Sequence, residues 1–349
     1  MKPGRLPQTL LLVVLVCGVI LFALTLGACG SGKNPSTKST STPAAGETMT
    51  PAKARALHAN EMGEIPVLMY HLIGHTKSQF NRTPDEFRQD IAKLKADGYY
   101  PINVRDLALG NIDVPAGTSP VVITFDDSSE GQYRILADGS LDPNCAVAIM
   151  NEATGGGGWA RRASFFPLID VQPPNHDIFG QPDSKQDKLR NLVAWGYEVG
   201  SHTVTHLNLK KASVQEATKQ LEESKAALES MIGGGYRVTS LALPFGEYPA
   251  NDAVLAGGTY HGHPYHYTAA LKAAGGPSWS PFSSKFRALH INRIEVTGNT
   301  LKNALAFLEK HPELRYVSDG DPTTVSAPQN LPAQLGAPRS GLGRPVVRY

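Results

Sequence analysis

The sequence is poor in cysteine. Only Cys17, Cys29 and Cys145 occur in 349 residues. No two of them are spaced as CxxC, which excludes a zinc-finger framework. Cys17 lies in an apolar N-terminal run that reads as a cleaved signal, and a lipidated Cys29 leaves Cys145 without a partner, so no disulfide framework is expected. No GxGxxG follows a strand and no GxxxxGK[ST] occurs, so no nucleotide cofactor is expected. HExxH is missing as well, which excludes zinc proteases of that type. Nor does charge of one sign prevail. Lys+Arg number 33 and Asp+Glu 31, a formal net charge of +2, with no dense basic cluster. Nucleic acid is therefore not an expected partner.

What is present begins with an address. Lys2 and Arg5 precede an almost wholly apolar stretch, Leu10 to Leu26, that runs into Leu26-Gly27-Ala28-Cys29. This is the layout of a secretory signal, and its end resembles a bacterial lipobox, which implies cleavage before Cys29 and acylation of that residue. The expected organisation is a lipoprotein signal peptide at 1–28, a flexible Ser/Thr/Pro-rich tether at 29–60, the main folded domain at 61–318 and an extended tail at 319–349. The protein is then expected outside the cytoplasm, with the membrane as partner through its lipid anchor. An uncleaved anchor helix or simple secretion would leave the domain on the same side.

Between Glu64 and Val317 short apolar runs alternate with helical patterns. Ile65 to Tyr70, Val121 to Phe125, Ala163 to Leu168, Tyr197 to Gly200, Leu241 to Leu243 and Ile291 to Val296 read as strands. Thr83-Pro84-Asp85-Glu86 and Ser213-Val214-Gln215-Glu216 each open a helix with the S/T-x-x-E signature. Repeated β-then-α units predict an α/β fold on a parallel sheet.

Three segments past strand ends carry chemistry. Thr124-Phe125-Asp126-Asp127 ends an apolar strand in two adjacent carboxylates, whose repulsion calls for a cation. Ser201-His202-Thr203-Val204-Thr205-His206 holds two imidazoles four residues apart, a spacing that lets both reach one ion from a turn or tight loop. With a carboxylate they make a two-His, one-carboxylate site with open positions. Leu243-Pro244-Phe245-Gly246 is a strand running into a proline turn. Each has an ordinary alternative: a turn-capping Asp pair, a structural His pair, a simple turn.

The order of these segments, with Val67-Leu68-Met69-Tyr70-His71 and Ala163-Ser164-Phe165-Phe166 before and between them, resembles the polysaccharide deacetylase family (NodB-homology domains, carbohydrate esterase family 4) from about Ile65 to Val317. The resemblance implies a distorted (β/α) barrel of the glycoside hydrolase/deacetylase type. It implies that Asp127, His202 and His206 hold a divalent metal, usually zinc, with cobalt or nickel as alternatives. It makes Asp126 the base, places Pro244, Phe245 and Gly246 at the oxyanion, and makes an acetylated polysaccharide the substrate.

The chain departs from that family at three points. Ser128 stands where glycine is common, and Ala242 stands where an arginine usually pairs with the catalytic aspartate. Arg293 is the candidate substitute. The late Leu-x-His acid has no clean match: His290 lacks the pattern, and His71 is the candidate for acid or substrate contact. These gaps keep open a catalytically impaired, glycan-binding lipoprotein, while the motif order disfavours a solute-binding lipoprotein. The segment Tyr260 to Tyr267, rich in His and Tyr, is either a sugar-stacking lid, a second metal patch or a loop packed on the barrel.

Overall fold

Val121-Val122-Ile123-Thr124-Phe125 is the most apolar, β-branched run of the domain, and it forms the middle of the barrel wall. In the computed structural model, which describes residues 48–155, 158–171 and 177–349, all eight residues of the strand Ser119–Asp126 are buried. The predicted signal at 1–28, Cys29 and the tether up to residue 47 lie outside the described residues. Those described all belong to one compact unit.

Eight strands build the main sheet: β1 (Val67–Tyr70), β2 (Tyr99–Ile102), β3 (Ser119–Asp126), β4 (Ser164–Phe166), β5 (Glu198–Val199), β6 (Ser240–Ala242), β7 (Ala269–Gly275) and β8 (Ile291–Glu295). All pairings in it are parallel, in the order β5-β4-β3-β1-β8-β7-β6, with β2 also paired to β3. β2 takes the first half of one β3 edge and β4 the second half. The ends then meet: Ser201 N–H donates to the Ser240 carbonyl and Ala242 N–H to the Ser201 carbonyl, both at 2.9 Å. The sheet is thus a nearly closed, distorted (β/α) barrel, as the family resemblance implies. Gly200 allows that closure, because a Cβ there would sit 2.3 Å from the Phe166 ring.

Helices α1 (Pro84–Ala96), α2 (Val104–Leu109), α3 (Ala146–Ala153), α4 (Lys185–Ala194), α5 (Val214–Ile232) and α6 (Thr300–Lys310) accompany the strands. α1 starts where its capping box predicts: Thr83 Oγ1 accepts from Glu86 N–H, and Glu86 returns the bond to Thr83 N–H at 2.8 Å. Phe87, Ile91 and Leu94 are its buried stripe.

Two strands of the main sheet escape sequence prediction. β2 is Tyr-Tyr-Pro-Ile, where Pro101 reads as a breaker, but β2 pairs with β3 alone, so it needs few amide donors. β7 is Ala-Ala-Leu-Lys-Ala-Ala-Gly, a composition that favours helix and is overridden by burial between β6 and β8. β7 also bulges: Leu271 faces Ile291, yet Gly275 faces Arg293, so four residues' advance on one strand matches two on the other.

The domain limits need correction. Residues 48–60, expected as tether, fold onto the body as the short helix Pro51–Ala56 and its flanks. Met49, Ala54 and Ala59 bury against Val347 and Tyr349, and Tyr349 Oη donates to the Ala59 carbonyl at 3.0 Å. A few apolar side chains suffice once the C-terminal segment supplies a surface. That segment, expected as an extended tail from 319, is anchored by Val325–Ala327 pairing in parallel with Val346–Arg348.

Where the two terminal segments meet, Glu61 is buried. Its carboxyl accepts from Ser326 N–H (2.9 Å) and Tyr316 Oη (3.1 Å). Burial, helped by the Asp319 carboxylate, pushes its pKa up from 4.5 to about 8 against those donors. The native state therefore keeps a proton that the unfolded chain releases above its ordinary pKa. That contribution is complete below about pH 4.5 and fades as pH rises toward 8. Glu61→Gln is expected to flatten the fall in urea midpoint between about pH 5 and pH 8 relative to the native protein. Parallel pH profiles for the two proteins would place the titrating group elsewhere.

Candidate metal centre and catalytic cleft

The C-terminal ends of β3, β5, β6 and β8 open into one cleft. It is lined by Asp126, Asp127, His202, His206, Phe245 and Arg293, among others, and has a volume of about 310 Å³.

Asp126 is the last residue of β3 and is fully buried. Arg293, from β8 on the far side of β1, grips it through two parallel bonds, Nη1 to Oδ1 and Nη2 to Oδ2, each 2.8 Å. The guanidinium is itself aimed by Nε to the Lys272 carbonyl (2.8 Å) and Nη1 to Thr124 Oγ1 (3.2 Å). Burial works against the Asp126 charge, but Arg293 and then His202 outweigh it and hold the carboxyl below its usual pKa. Each carboxylate oxygen keeps a second lone pair for a proton from water.

Asp127 leaves the strand in left-handed backbone (φ 69°), as does Ser128 (φ 53°). Such conformations are strained for residues with a Cβ and persist where the surroundings fix them. Here Ser128 does the fixing: its hydroxyl accepts from Leu168 N–H (3.3 Å) and its carbonyl from Phe179 N–H (2.9 Å). Serine thus fills the place where the family often carries glycine.

The two histidines come from a tight loop after β5, not from a helical turn. Thr203 (φ 72°) and His206 (φ 56°) are left-handed, and Gln220 of α5 clamps the loop by accepting from Val204 N–H (2.9 Å) and Thr205 N–H (3.0 Å). The rings of His202 and His206 lie 4.9 Å apart. His202 Nδ1 pairs with the Ala242 carbonyl at 2.8 Å, which makes Nδ1 the protonated nitrogen and leaves the Nε2 lone pair facing inward.

That lone pair meets another. His202 Nε2 lies 3.3 Å and His206 Nε2 3.8 Å from Asp127 Oδ1, a buried oxygen that accepts no hydrogen bond from any described residue. Three lone-pair donors converge with ligand atoms within 4.8 Å of one another. Bare, they repel; a shared cation resolves the repulsion. Charge distribution agrees. Burial disfavours a charged His202, but Asp126 and Asp127 outweigh it and push its pKa up. Asp127, despite burial, is held well below the carboxylate range by the histidines. Burial and His202 push His206 down. A field that welcomes a proton at this point also welcomes a metal ion.

A family model described as polysaccharide deacetylase matches residues 162–265. That match spans less than a third of the chain, which over this segment is similar to the polysaccharide deacetylase family. YxkH of Bacillus subtilis, named as a polysaccharide deacetylase, is 23% identical over 187 residues, 53% of this chain and 58% of its own length. The chain thus matches little more than half of that relative. Among solved structures, the Streptococcus pyogenes deacetylase PplD, in complex with acetate, superposes with a TM-score of 0.52 at 23% identity, covering 70% of this chain and 97% of its own. IcaB from Ammonifex degensii superposes at 0.53 with 16% identity, over 70% of this chain and 97% of its own. At such identities the likeness to the solved structures is one of fold.

The other predicted residues divide. His71 lines the cleft, its ring tilted on Phe80 at 5.1 Å, and its carbonyl is pinned by Gln132 Nε2 (2.7 Å) and Ser129 Oγ (3.1 Å). Phe245 stands at the rim, 61% exposed, with its ring 4.5 Å from that of His206. The oxyanion expectation for Pro244, Phe245 and Gly246 narrows. Proline has no N–H, and Gly246 N–H donates to the Leu243 carbonyl at 2.8 Å, so Phe245 carries the amide of the turn that has no acceptor among the described residues. Gly246 instead gives clearance: a Cβ there would meet the Ala273 nitrogen of the β7 bulge at 2.5 Å.

His290 is directed away from this chemistry. It pairs with Asp252 (2.9 Å) and stacks on Tyr248 (4.5 Å). Tyr260 to Tyr267 forms the hairpin Gly257–Tyr260/His263–His266 with Tyr265 and Tyr267 buried, the latter donating to the Leu221 carbonyl of α5. It is a packing element, and its histidines form no metal cluster among the described residues.

Sequence patterns miss Thr124, Gln132, Gln220, Phe80 and Glu295, all of which line or brace the cleft. Phe80, Gln132 and Gln220 come from segments with no chemical motif, and Thr124 and Glu295 read as strand positions beside the residues singled out.

Removing Arg293 strands a buried carboxylate. Arg293→Met is expected to lower the unfolding free energy by about 3–5 kcal/mol. Adding Asp126→Asn is expected to recover a large part of that loss, because the stranded charge disappears. Additive losses in urea titrations of the two single variants and the double would show that the pair carries no coupling.

Proposed function

We propose that the chain is an extracytoplasmic, metal-dependent hydrolase that removes acetyl groups, N-acetyl foremost, from a polysaccharide. The convergence of Asp127, His202 and His206 beside the Arg293-locked Asp126, in a cleft open to solvent, carries this reading. Asp127 Oδ1 and the Nε2 atoms of both histidines would hold a divalent cation, with zinc the first expectation and cobalt or nickel alternatives. When bound, such an ion polarises an acetyl carbonyl and makes water acidic enough to ionise near neutral pH.

The residues of the chain supply the rest. Asp126 takes the proton of the attacking water, and Arg293 keeps that carboxylate ionised and immobile. Ala242 O fixes the His202 tautomer so that its lone pair stays available. Phe245 N–H is the donor for the oxyanion of the tetrahedral intermediate. The rings of Phe245 and Phe80, one beside His206 and the other beside His71, offer apolar faces to a sugar ring. Acetate, the product of such a reaction, is the molecule in the PplD complex.

The missing motif arginine is the main reason for a catalytically impaired, glycan-binding alternative. The Arg293–Asp126 pair supplies an equivalent contact from another strand and weakens that alternative. The signal and Cys29 support a membrane-anchored lipoprotein of the cell envelope: Cys29→Ser is expected to move the protein from the membrane to the soluble fraction.

Acetate release from N-acetylated chitooligosaccharides and peptidoglycan fragments, measured beside metal content, tests the activity. Asp127→Ala and His202→Ala are expected to lose metal and turnover together. Asp126→Asn is expected to keep metal and lose about 10²-fold or more in kcat. A metal-replete native protein that releases no acetate from any acetylated glycan would leave the binder as the reading.

A further inference from the structure

Hydrolysis of an acetamide has a charge requirement at each end. In R–NH–CO–CH3 + H2O → R–NH3+ + CH3COO−, water oxygen bonds to the carbonyl carbon, the C–N bond breaks, and both water protons finish on nitrogen. Negative charge gathers on the carbonyl side and positive charge on the amine. The cleft is rich in groups for the first. Arg293, the Phe245 amide and the Asp127–His202–His206 cation site all favour anions or hold an acceptor in place.

One residue answers the second. Glu295 ends β8 two residues beyond Arg293, in register with Met69 of β1, and both Glu295 and Met69 line the cleft. Two residues along a strand return a side chain to the same face, so Glu295 stands over the side from which Arg293 reaches Asp126. Thr300 Oγ1 holds its backbone carbonyl at 2.6 Å, which fixes the strand end. Its carboxylate forms no ion pair and accepts no hydrogen bond among the described residues. Asp126 is committed to Arg293 and Asp127 to the histidines. Glu295 is thus the one cleft carboxylate with no partner of its own.

We propose that Glu295 receives the leaving amine: it accepts a hydrogen bond from the amide N–H of the bound substrate and carries the counter-charge as that nitrogen becomes an ammonium. This inference rests on the deacetylase reading and sharpens it. A group that needs an N–H selects N-acyl over O-acyl glycans, because an ester oxygen offers no hydrogen to a carboxylate and leaves it unpaired. It also gives the leaving amine, for which the absent late histidine left no partner, a carboxylate as acceptor and counter-charge; the proton that nitrogen gains is the one Asp126 takes from water, and Glu295 supplies none.

The test uses the metal-loaded full chain and two substrates: N-acetylated chitooligosaccharide and p-nitrophenyl acetate, whose phenolate leaves without a proton. Glu295→Gln preserves shape and is expected to lower kcat/KM on the amide about 10²-fold or more, while changing the ester rate less than about 3-fold at unaltered metal content. Inhibition by the free-amine oligosaccharide should weaken in the same variant. Equal loss on both substrates, or no loss on either, would overturn the assignment. So would an amide-only loss in His71→Ala that Glu295→Gln does not share. A native protein silent on both substrates would instead remove the deacetylase reading itself, an outcome separable from these.

Discussion

The buried pair between Arg293 and Asp126 is the constraint on which the rest of the cleft depends. A carboxylate fully enclosed by protein would ordinarily surrender its charge by binding a proton. Two parallel 2.8 Å bonds from a guanidinium aimed by the Lys272 carbonyl and Thr124 prevent that. The pairing fixes charge, position and orientation together. It also ties β3 to β8 across β1, so the geometry of the site and the closure of the wall are one problem. Ion pairs of this kind add little net stability over apolar packing, yet breaking one is expensive. What the pair secures is a carboxylate that cannot wander and cannot be neutralised by its surroundings.

Much of this was legible in the sequence, and the legible part has a common character. Asp126, Asp127, His202 and His206 sit on short segments that follow apolar runs, so chain order alone places them at strand ends. The Thr83–Glu86 capping box fixes the start of α1 for a local reason, and the structure keeps it. The illegible part is non-local. Nothing in Ala-Ala-Leu-Lys-Ala-Ala-Gly announces a strand, because burial between two neighbours overrides propensity. Residues 48–60 look too polar to fold alone, and they fold because Val347 and Tyr349 arrive from the other terminus. Gln220 clamps the histidine loop from a helix that begins well after it, through two amides that no pattern reveals.

The backbone of the site is strained in a concentrated way. Asp127, Ser128, Thr203, His206 and Phe245 all have positive φ, five residues with side chains within the three segments that meet at the cleft. Each such conformation costs of order 1–3 kcal/mol when unsupported. Support is visible at each segment: Ser128 is bonded to Leu168 and Phe179, the His202–His206 loop to Gln220, and the Phe245 turn rests against the β7 bulge at Ala273. The strain turns ligand atoms inward that a regular strand end would point along the barrel axis. It also explains why serine is tolerated at 128. What matters there is a left-handed residue with its polar groups satisfied, and glycine is only the cheapest way to obtain one.

Delivery of a guanidinium to Asp126 from β8, and not from the Ala242 position where the family resemblance places one, shows what a nearly closed sheet permits. Ala242 lies at the end of β6, and Arg293 lies on β8, separated from it by β7. In an open sheet those positions would be remote from β3 to different degrees. In a ring, side chains from several strands point to one axis, so a guanidinium can approach Asp126 from either side. The bulge in β7 makes the second approach practicable. By advancing four residues against two on β8, it sets the Lys272 carbonyl where Arg293 Nε can use it, and Ala273 where the Gly246 turn can rest. A motif defined along the chain therefore underestimates what the barrel can assemble. The requirement is a fixed cation at Asp126, and the strand that delivers it is free to change.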